Sequence, residues 1–384
     1  MRPASRHLPV CIFLLLSPLS SCSWNFSSRP VEPSDGLSDA DASPEDADGP
    51  ETVDGPGDDG GGEESPADPG EGGEESGGED VPAEDVECPD CAPDAPNAPP
   101  TVSVTAPADG EMILAGASTD VRAEAADADG TVEDIRIYLD GDLVAENAAE
   151  SLVWTWSSPA IGHHVLSARA EDDRGASGVS GDVEAVVYGV ARFQDGVSPA
   201  DDYAGTADTA IGIGSPDSNE GTWTSLEADG WDGVFEVDVS ALIRWDIGSI
   251  PADAEVLDAE VTLFSSDNDT SDPYALYEML VPWGEMTATW NLADTGRPWE
   301  VAGCQGTGDH DVTVLGTVQE DFLSPILMEV TPAFLELVQR WVMYPSQNNG
   351  LVIQDYTNID GLHFRSSEDG VPAGRPLLEI TYTR

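Results

Sequence analysis

Several groups of residues in this chain have types and spacings that could do chemistry. Asp267-Asn268-Asp269-Thr270-Ser271-Asp272 alternates carboxylates with amide and hydroxyl oxygens. That is the donor set a hard cation takes, although the run lacks the full EF-hand pattern. Asp267, Asp269 and Asp272 are therefore the candidate metal ligands, with calcium the ion they suit; no other cofactor is expected. Cys88-Pro89-Asp90-Cys91 has the spacing of a redox pair or of half a zinc site. A redox site needs a βαβ context and zinc a second ligand pair, and neither lies nearby, so a local disulfide is the expectation. Gly308-Asp309-His310-Asp311 would suit a metal, but it equally suits a polar loop.

Binding has stronger material than catalysis. Trp223, Trp231, Trp283, Trp290, Trp299 and Tyr356 lie in or beside loops or strand ends. Exposed rings of this kind accept the CH faces of sugars. Trp231, Trp283 and Trp299 are the candidate stacking residues, with Arg297 and Arg365 beside them to grip the carboxylates of an acidic glycan. Core packing is the competing fate of each loop tryptophan, and Trp245 and Trp341, inside apolar patterns, read as core. Arg244 is a further pairing group for an acidic glycan, but it shares a strand face with Leu242 and Asp246, so a buried structural pair with a carboxylate is its rival fate. No GxSxG, HExxH or phosphate-cradling glycine loop occurs, and carboxylates are too abundant for any one pair to stand out as glycosidic. The expectation is a protein without catalysis.

The charge narrows the partners. Seventy-five acidic residues face 14 basic ones, all arginine, for a net charge of −61. Such a chain repels nucleic acid and anionic headgroups, so nucleic acid is excluded as a partner. At the N-terminus, Arg2, Arg6 and His7 precede the apolar run Val10–Leu16, and small residues then lead to Cys22. That run is too short to span a bilayer and has the layout of an export signal.

Composition and periodicity set the organisation. Residues 1–21 read as a signal peptide, and 22–98 as a disordered acidic stalk with almost nothing to bury. Residues 99–189 alternate with period two through Thr101–Val104, Val121–Ala125, Ile135–Leu139, Leu152–Trp156, His164–Ala170 and Val183–Val187. Asp140-Gly141 supplies a hairpin turn, and the spacing predicts an antiparallel sandwich. Asp127, Asp129, Asp172 and Asp173 could meet at one end and hold calcium, or simply serve as turn residues. In residues 190–384, alternation recurs around 242–247, 256–264, 350–353 and 377–382. There Thr331 can cap one short helix, with Pro332 in its first turn and Phe334, Leu335, Val338, Trp341 and Val342 on one face. The fold expected is all-β: an Ig-like antiparallel sandwich, then a larger jelly-roll-like β-sandwich carrying one short helix.

Three resemblances add to this reading. Leu19-Ser20-Ser21-Cys22 resembles the lipobox of bacterial lipoproteins, which implies acylation of Cys22, anchoring in the outer membrane and no other membrane contact. Asp127-Ala128-Asp129-Gly130, Tyr138-Leu139-Asp140-Gly141 and Gly162–Leu166 resemble bacterial Ig-like domains, which are mostly spacers. The last 195 residues resemble the DNRLRE family through Asp208-Thr209-Ala210-Ile211, Asn219-Glu220-Gly221, Leu242–Asp246, Trp283-Gly284-Glu285, Thr289-Trp290-Asn291 and Arg375–Ile380. Arg365-Ser366-Ser367-Glu368 stands where members often have Ser-Arg-Glu. This resemblance implies a β-sandwich that binds polysaccharides, including acidic ones. The expected function is a non-catalytic, lipid-anchored surface protein that presents a carbohydrate-binding or adhesion module. A structural envelope protein making protein contacts is the alternative, and a polysaccharide-degrading enzyme the weakest reading.

Overall fold

The computed structural model describes residues 95–230, 238–267, 272–319, 325–358 and 360–384. Cys22, the acidic segment and the Cys88/Cys91 pair lie outside them, as do Trp231 and Asp269. The architecture is all-β, as expected.

Nine strands build the first sandwich: β1 (Thr101–Ala106), β2 (Glu111–Leu114), β3 (Thr119–Ala126), β4 (Val132–Leu139), β5 (Asp142–Asn147), β6 (Ser151–Trp156), β7 (Gly162–Asp172), β8 (Ser177–Val179) and β9 (Val183–Phe193). One sheet orders β1-β3-β6; facing it, β9-β7-β4-β5 belong to a larger sheet, with β8 against β7 and the short β2 parallel to β9. Alternation works here because each strand buries one face only: Val121, Ala123 and Ala125 of β3 meet Ile135, Ile137, Leu166, Ala168 and Val187 in one core. Asp140 and Gly141 turn with φ of 52° and 88°, the left-handed pair that a two-residue hairpin requires.

The second sandwich contains β10 (Thr206–Gly212), β11 (Ser225–Ala228), β12 (Val239–Trp245), β13 (Glu255–Leu263), β14 (Tyr274–Glu278), β15 (Leu292–Asp294), β16 (Arg297–Pro298), β17 (Gly316–Val318), β18 (Ile326–Leu327), β19 (Glu329–Val330), β20 (Leu351–Gln354), β21 (Leu362–Arg365) and β22 (Leu377–Thr383). Its main sheet orders β10-β12-β20-β14-β17-β19, and β18-β13-β22 lie in the opposite layer. Helix α1 (Pro332–Met343) packs Phe334, Leu337, Val338, Trp341 and Val342 into the core. Leu337 takes the buried place expected of Leu335, which is only half-buried. Thr331 sits at the N-cap position but makes no side-chain cap; its hydroxyl donates instead to the carbonyl of Leu315 at 2.8 Å.

Two features of this sandwich matter for function. First, β9 is shared: Val183–Val187 pair with β7, while Gly189–Phe193 pair with β22, so the position expected to separate the two sandwiches falls inside one strand. Second, the main sheet is apolar on both faces. Ala241, Ile243 and Trp245 of β12 and Leu351 and Ile353 of β20 enter the central core; Leu242 and Val352, between them, enter a second cluster on the other side. The chain between β14 and β17 covers that outer face, contributing Met279, Trp283, Ala288, Ala293, Trp299 and Cys304.

Candidate functional site

This covering segment decides the fate of the loop tryptophans. Trp283, Trp290 and Trp299 are 4%, 5% and 4% exposed. The indole of Trp299 donates to the carbonyl of Thr289 at 2.9 Å, and Arg244 lies over the Trp283 ring at 5.4 Å. The expectation that Trp283 and Trp299 present stacking faces is therefore corrected. Their rings satisfy the outer apolar face of the sheet, where Leu242, Val352 and Ile211 would otherwise meet water. Arg244 thus lays its guanidinium on this ring while its charge also acts on Glu285.

The candidate arginines are engaged inside the domain. Arg297 donates to the carbonyl of Pro282 and stands 3.9 Å from Asp294. Arg365 donates to the carbonyl of Ser265 at 3.4 Å and pairs with Asp369 at 3.5 Å. Neither shares an exposed face with Trp283 or Trp299, whose rings are buried. Of the calcium candidates, Asp267 and Asp272 flank undescribed residues, and the carbonyl of Asp272 accepts from the Asn358 amide at 3.2 Å.

Two other loops whose residues could suit a metal are structural. Asp309 caps three main-chain N–H groups, those of Glu300, Val301 and Gly306, at 2.8–3.1 Å. His310 bonds the carbonyl of Cys304 at 2.7 Å and Gln354 at 3.2 Å. Burial raises the Cys304 thiol far above its ordinary range, so this cysteine is an inert core residue. In the first sandwich, Asp127, Asp129, Asp172 and Asp173 do gather at one end. They accept from Asn97, Arg174 and main-chain N–H groups there, as turn residues do.

The densest unsatisfied chemistry lies elsewhere, in residues singled out only as motif letters. Asp208 on β10, Glu285 in the covering segment and Glu368 after β21 bring one carboxylate oxygen each within 4.8 Å of one another. Asp208 has no exposed surface. Its Oδ2 accepts from the N–H of Ser367 at 2.8 Å, and its own N–H donates to Glu285 at 3.0 Å. Burial, then the charge of Glu368, pushes the Asp208 carboxyl well above the usual carboxylate range, against the pull of the Ser367 N–H. Burial also raises Glu285, with Glu368 and Asp195 adding to the effect and Arg244 opposing it.

The segment that carries Glu368 also holds an exposed aromatic residue. Ser366 donates through its hydroxyl to the carbonyl of Trp223 and through its N–H to that of Thr224 at 3.2 Å. Trp223 is 55% exposed, and it is the one tryptophan among the described residues that is mostly open to solvent. Its turn is built by Asn219, whose amide donates to the carbonyls of Glu285 and Ala288 at 2.7 and 2.8 Å. Gly221 completes the turn at a point where a Cβ would stand 2.3 Å from the Glu285 carbonyl. The sequence signal for this loop was Asn219-Glu220-Gly221 itself, a turn followed two residues later by tryptophan.

Comparison with known proteins agrees with the first sandwich. Residues 100–168 match the bacterial Ig domain family. No curated protein matches the chain. Among solved structures, the fibronectin(III)-like modules of Clostridium thermocellum CbhA are 21% identical over 23% of this chain and 94% of theirs, with a TM-score of 0.22. Carbohydrate-binding modules from the beta-sandwich superfamily, solved for their promiscuous specificity, are 9% identical over 75% of this chain and 99% of theirs, with a TM-score of 0.30. The Bacteroides ovatus glucan-utilisation protein SGBP-B, solved with a mixed-linkage heptasaccharide, is 9% identical over 71% of this chain and 51% of its own, with a TM-score of 0.16. None of these similarities is high enough to carry a function across.

Proposed function

We propose that the second sandwich binds polysaccharide without turning it over, and that Trp223 is its stacking residue. One observation carries this reading. In a domain that buries Trp245, Trp283, Trp290, Trp299 and Trp341, Trp223 is held 55% exposed on a tied-down turn, which leaves its ring free to meet a ligand face. A rigid, amphipathic ring bordered by hydrogen-bonding groups is what a sugar face requires. The DNRLRE-like order of motifs supports the same ligand class. Net charge and the engaged states of Arg297 and Arg365 favour neutral glycans over acidic ones. Catalysis has little support: Asp208, whose carboxyl is pushed by burial well above the usual carboxylate range, has no surface for a substrate to reach.

The lipobox-like run supports an outer-membrane location for this reading, with Cys22 as the tether, the acidic segment as spacer and the Ig-like sandwich as a stand. Cys22→Ala should release it from membranes or leave it unprocessed.

A screen of neutral and acidic glycans with the full chain tests the binding role. Binding that falls at least tenfold in Trp223→Ala supports it, a difference of about 1.4 kcal/mol. Binding to no glycan, or binding indifferent to Trp223, would favour a structural envelope role instead.

A further inference from the structure

We infer that Asp208, Glu285 and Glu368 form a binding site for one hard divalent cation, calcium by its ligand chemistry, inside the second sandwich. The inference is independent of the glycan reading, and it moves the ion away from the Asp267–Asp272 loop, where the sequence alone put it.

The geometry is the first support. Two oxygens on one calcium ion, each about 2.3–2.6 Å from it, stand at most about 5 Å apart. The three carboxylates have oxygens within 4.8 Å of one another, and they come from three separated parts of the chain: the edge strand β10, the covering segment and the loop after β21. Ligands all of oxygen, with three carboxylates, suit calcium rather than zinc or copper. Magnesium, which keeps most of its water, fits a buried all-protein cluster poorly.

The second support is an orphan atom. Asp208 is fully buried, its carboxylate lies in the cluster, and its Oδ1 accepts no hydrogen bond among the described residues. Buried carboxylate oxygens are almost always satisfied by donors or by a metal. Glu285 and Glu368 cannot satisfy it while ionised, since both are acceptors only. Nearby charge does not balance the cluster either. Asp195 adds a further acid close to Glu285, and Arg244, the one cation acting on Glu285, stands over the Trp283 ring. A divalent ion would supply both the missing partner and the missing charge. It would also lock the covering segment and the Trp223-bearing turn to β10, because Glu285 and Glu368 belong to the stretches that hold them.

Terbium(III) is the probe, since it accepts calcium's oxygen ligands and luminesces when a nearby tryptophan is excited; Trp283 stands two residues from Glu285. With the full chain, tryptophan-sensitised luminescence should saturate and be displaced by calcium. Asp208→Asn and Glu285→Gln should each weaken that affinity at least tenfold while keeping the native circular dichroism. Calcium should also raise the thermal midpoint of the unmodified chain and not that of the variants. Glu368→Gln, at a half-buried loop position, makes the same test should Asp208→Asn fail to fold. Terbium titrations that are the same in folded variants and unmodified protein would assign the signal to the acidic segment and overturn the site. So would an unmodified chain whose midpoint calcium does not move: the cluster then shares a proton instead of an ion.

Discussion

The indole N–H of Trp283 donates to the main-chain carbonyl of Asn349 at 2.8 Å, tying the segment that covers the main sheet to the turn that starts β20. With this bond the ring is a structural piece of the second sandwich. Trp283→Ala should cost about 3–5 kcal/mol of unfolding free energy, the range for emptying a buried aromatic site. Denaturant titration of the full chain reads it. A loss below about 1 kcal/mol would show that the covering segment is not integral to the fold.

Trp223 should behave in the opposite way. Its side chain is mostly in water, so Trp223→Ala should change stability by no more than about 0.5 kcal/mol. The same denaturant titration checks this. A large loss would mean that the ring packs on the domain, and would remove it as a binding residue.

Two glycines separate backbone strain from steric blockage. Gly350 has φ +80° and a Cβ there would lie 2.2 Å from the Ile243 carbonyl, whereas Gly296 has φ +70° and open space around it. Gly296→Ala should cost about 1–2 kcal/mol, the left-handed penalty alone. Gly350→Ala must also push β20 from β12 and should cost clearly more. Equal midpoints for the two variants would contradict this register.

Glu220 makes a pH prediction. Burial, reinforced by the charge of Glu227, pushes its carboxyl up to about 7, against about 4.3 in an unfolded chain. The folded state therefore holds this proton more tightly, and stability from Glu220 should grow as pH falls from about 8 towards 5. Glu220→Gln should flatten that part of the stability–pH curve, measured as denaturant midpoints at pH 8 and pH 6. Identical slopes in the two proteins would place Glu220 in water. Asp172 acts in the other direction. Burial raises its carboxyl, but hydrogen bonds from Ala176, Asn97 and Arg174 outweigh that and hold it low, so its contribution is lost only as pH falls below the ordinary carboxylate range.

The first sandwich was legible in the sequence because each strand buries a single face, and Val121/Ala123/Ala125 or Ile135/Ile137 print that face at every second position. The tryptophan-rich loops misled for a related reason. Ala241-Leu242-Ile243 and Leu351-Val352-Ile353 are unbroken apolar runs, which mark a sheet buried on both sides and so require an apolar cover. The cover was there to be read in Met279, Trp283, Ala293 and Trp299. The carboxylate cluster had no comparable signal. Asp208, Glu285 and Glu368 are separated by 77 and 83 positions in a chain with 75 acids, and only the fold brings three of them together.

Strand β9 leaves no residue at which the two sandwiches could swivel. Gly189, where the pairing passes from one to the other, is wedged: a Cβ there would stand 2.6 Å from Ile161 and 3.3 Å from the Tyr382 ring. Beside it the Thr383 hydroxyl donates to the Val187 carbonyl at 2.9 Å. Torque applied to the Ig-like sandwich is then delivered to β22 through a hydrogen-bonded ladder instead of being dissipated in a linker. The bearing of Trp223 is fixed relative to the first sandwich, so the two must be presented to a surface as one body.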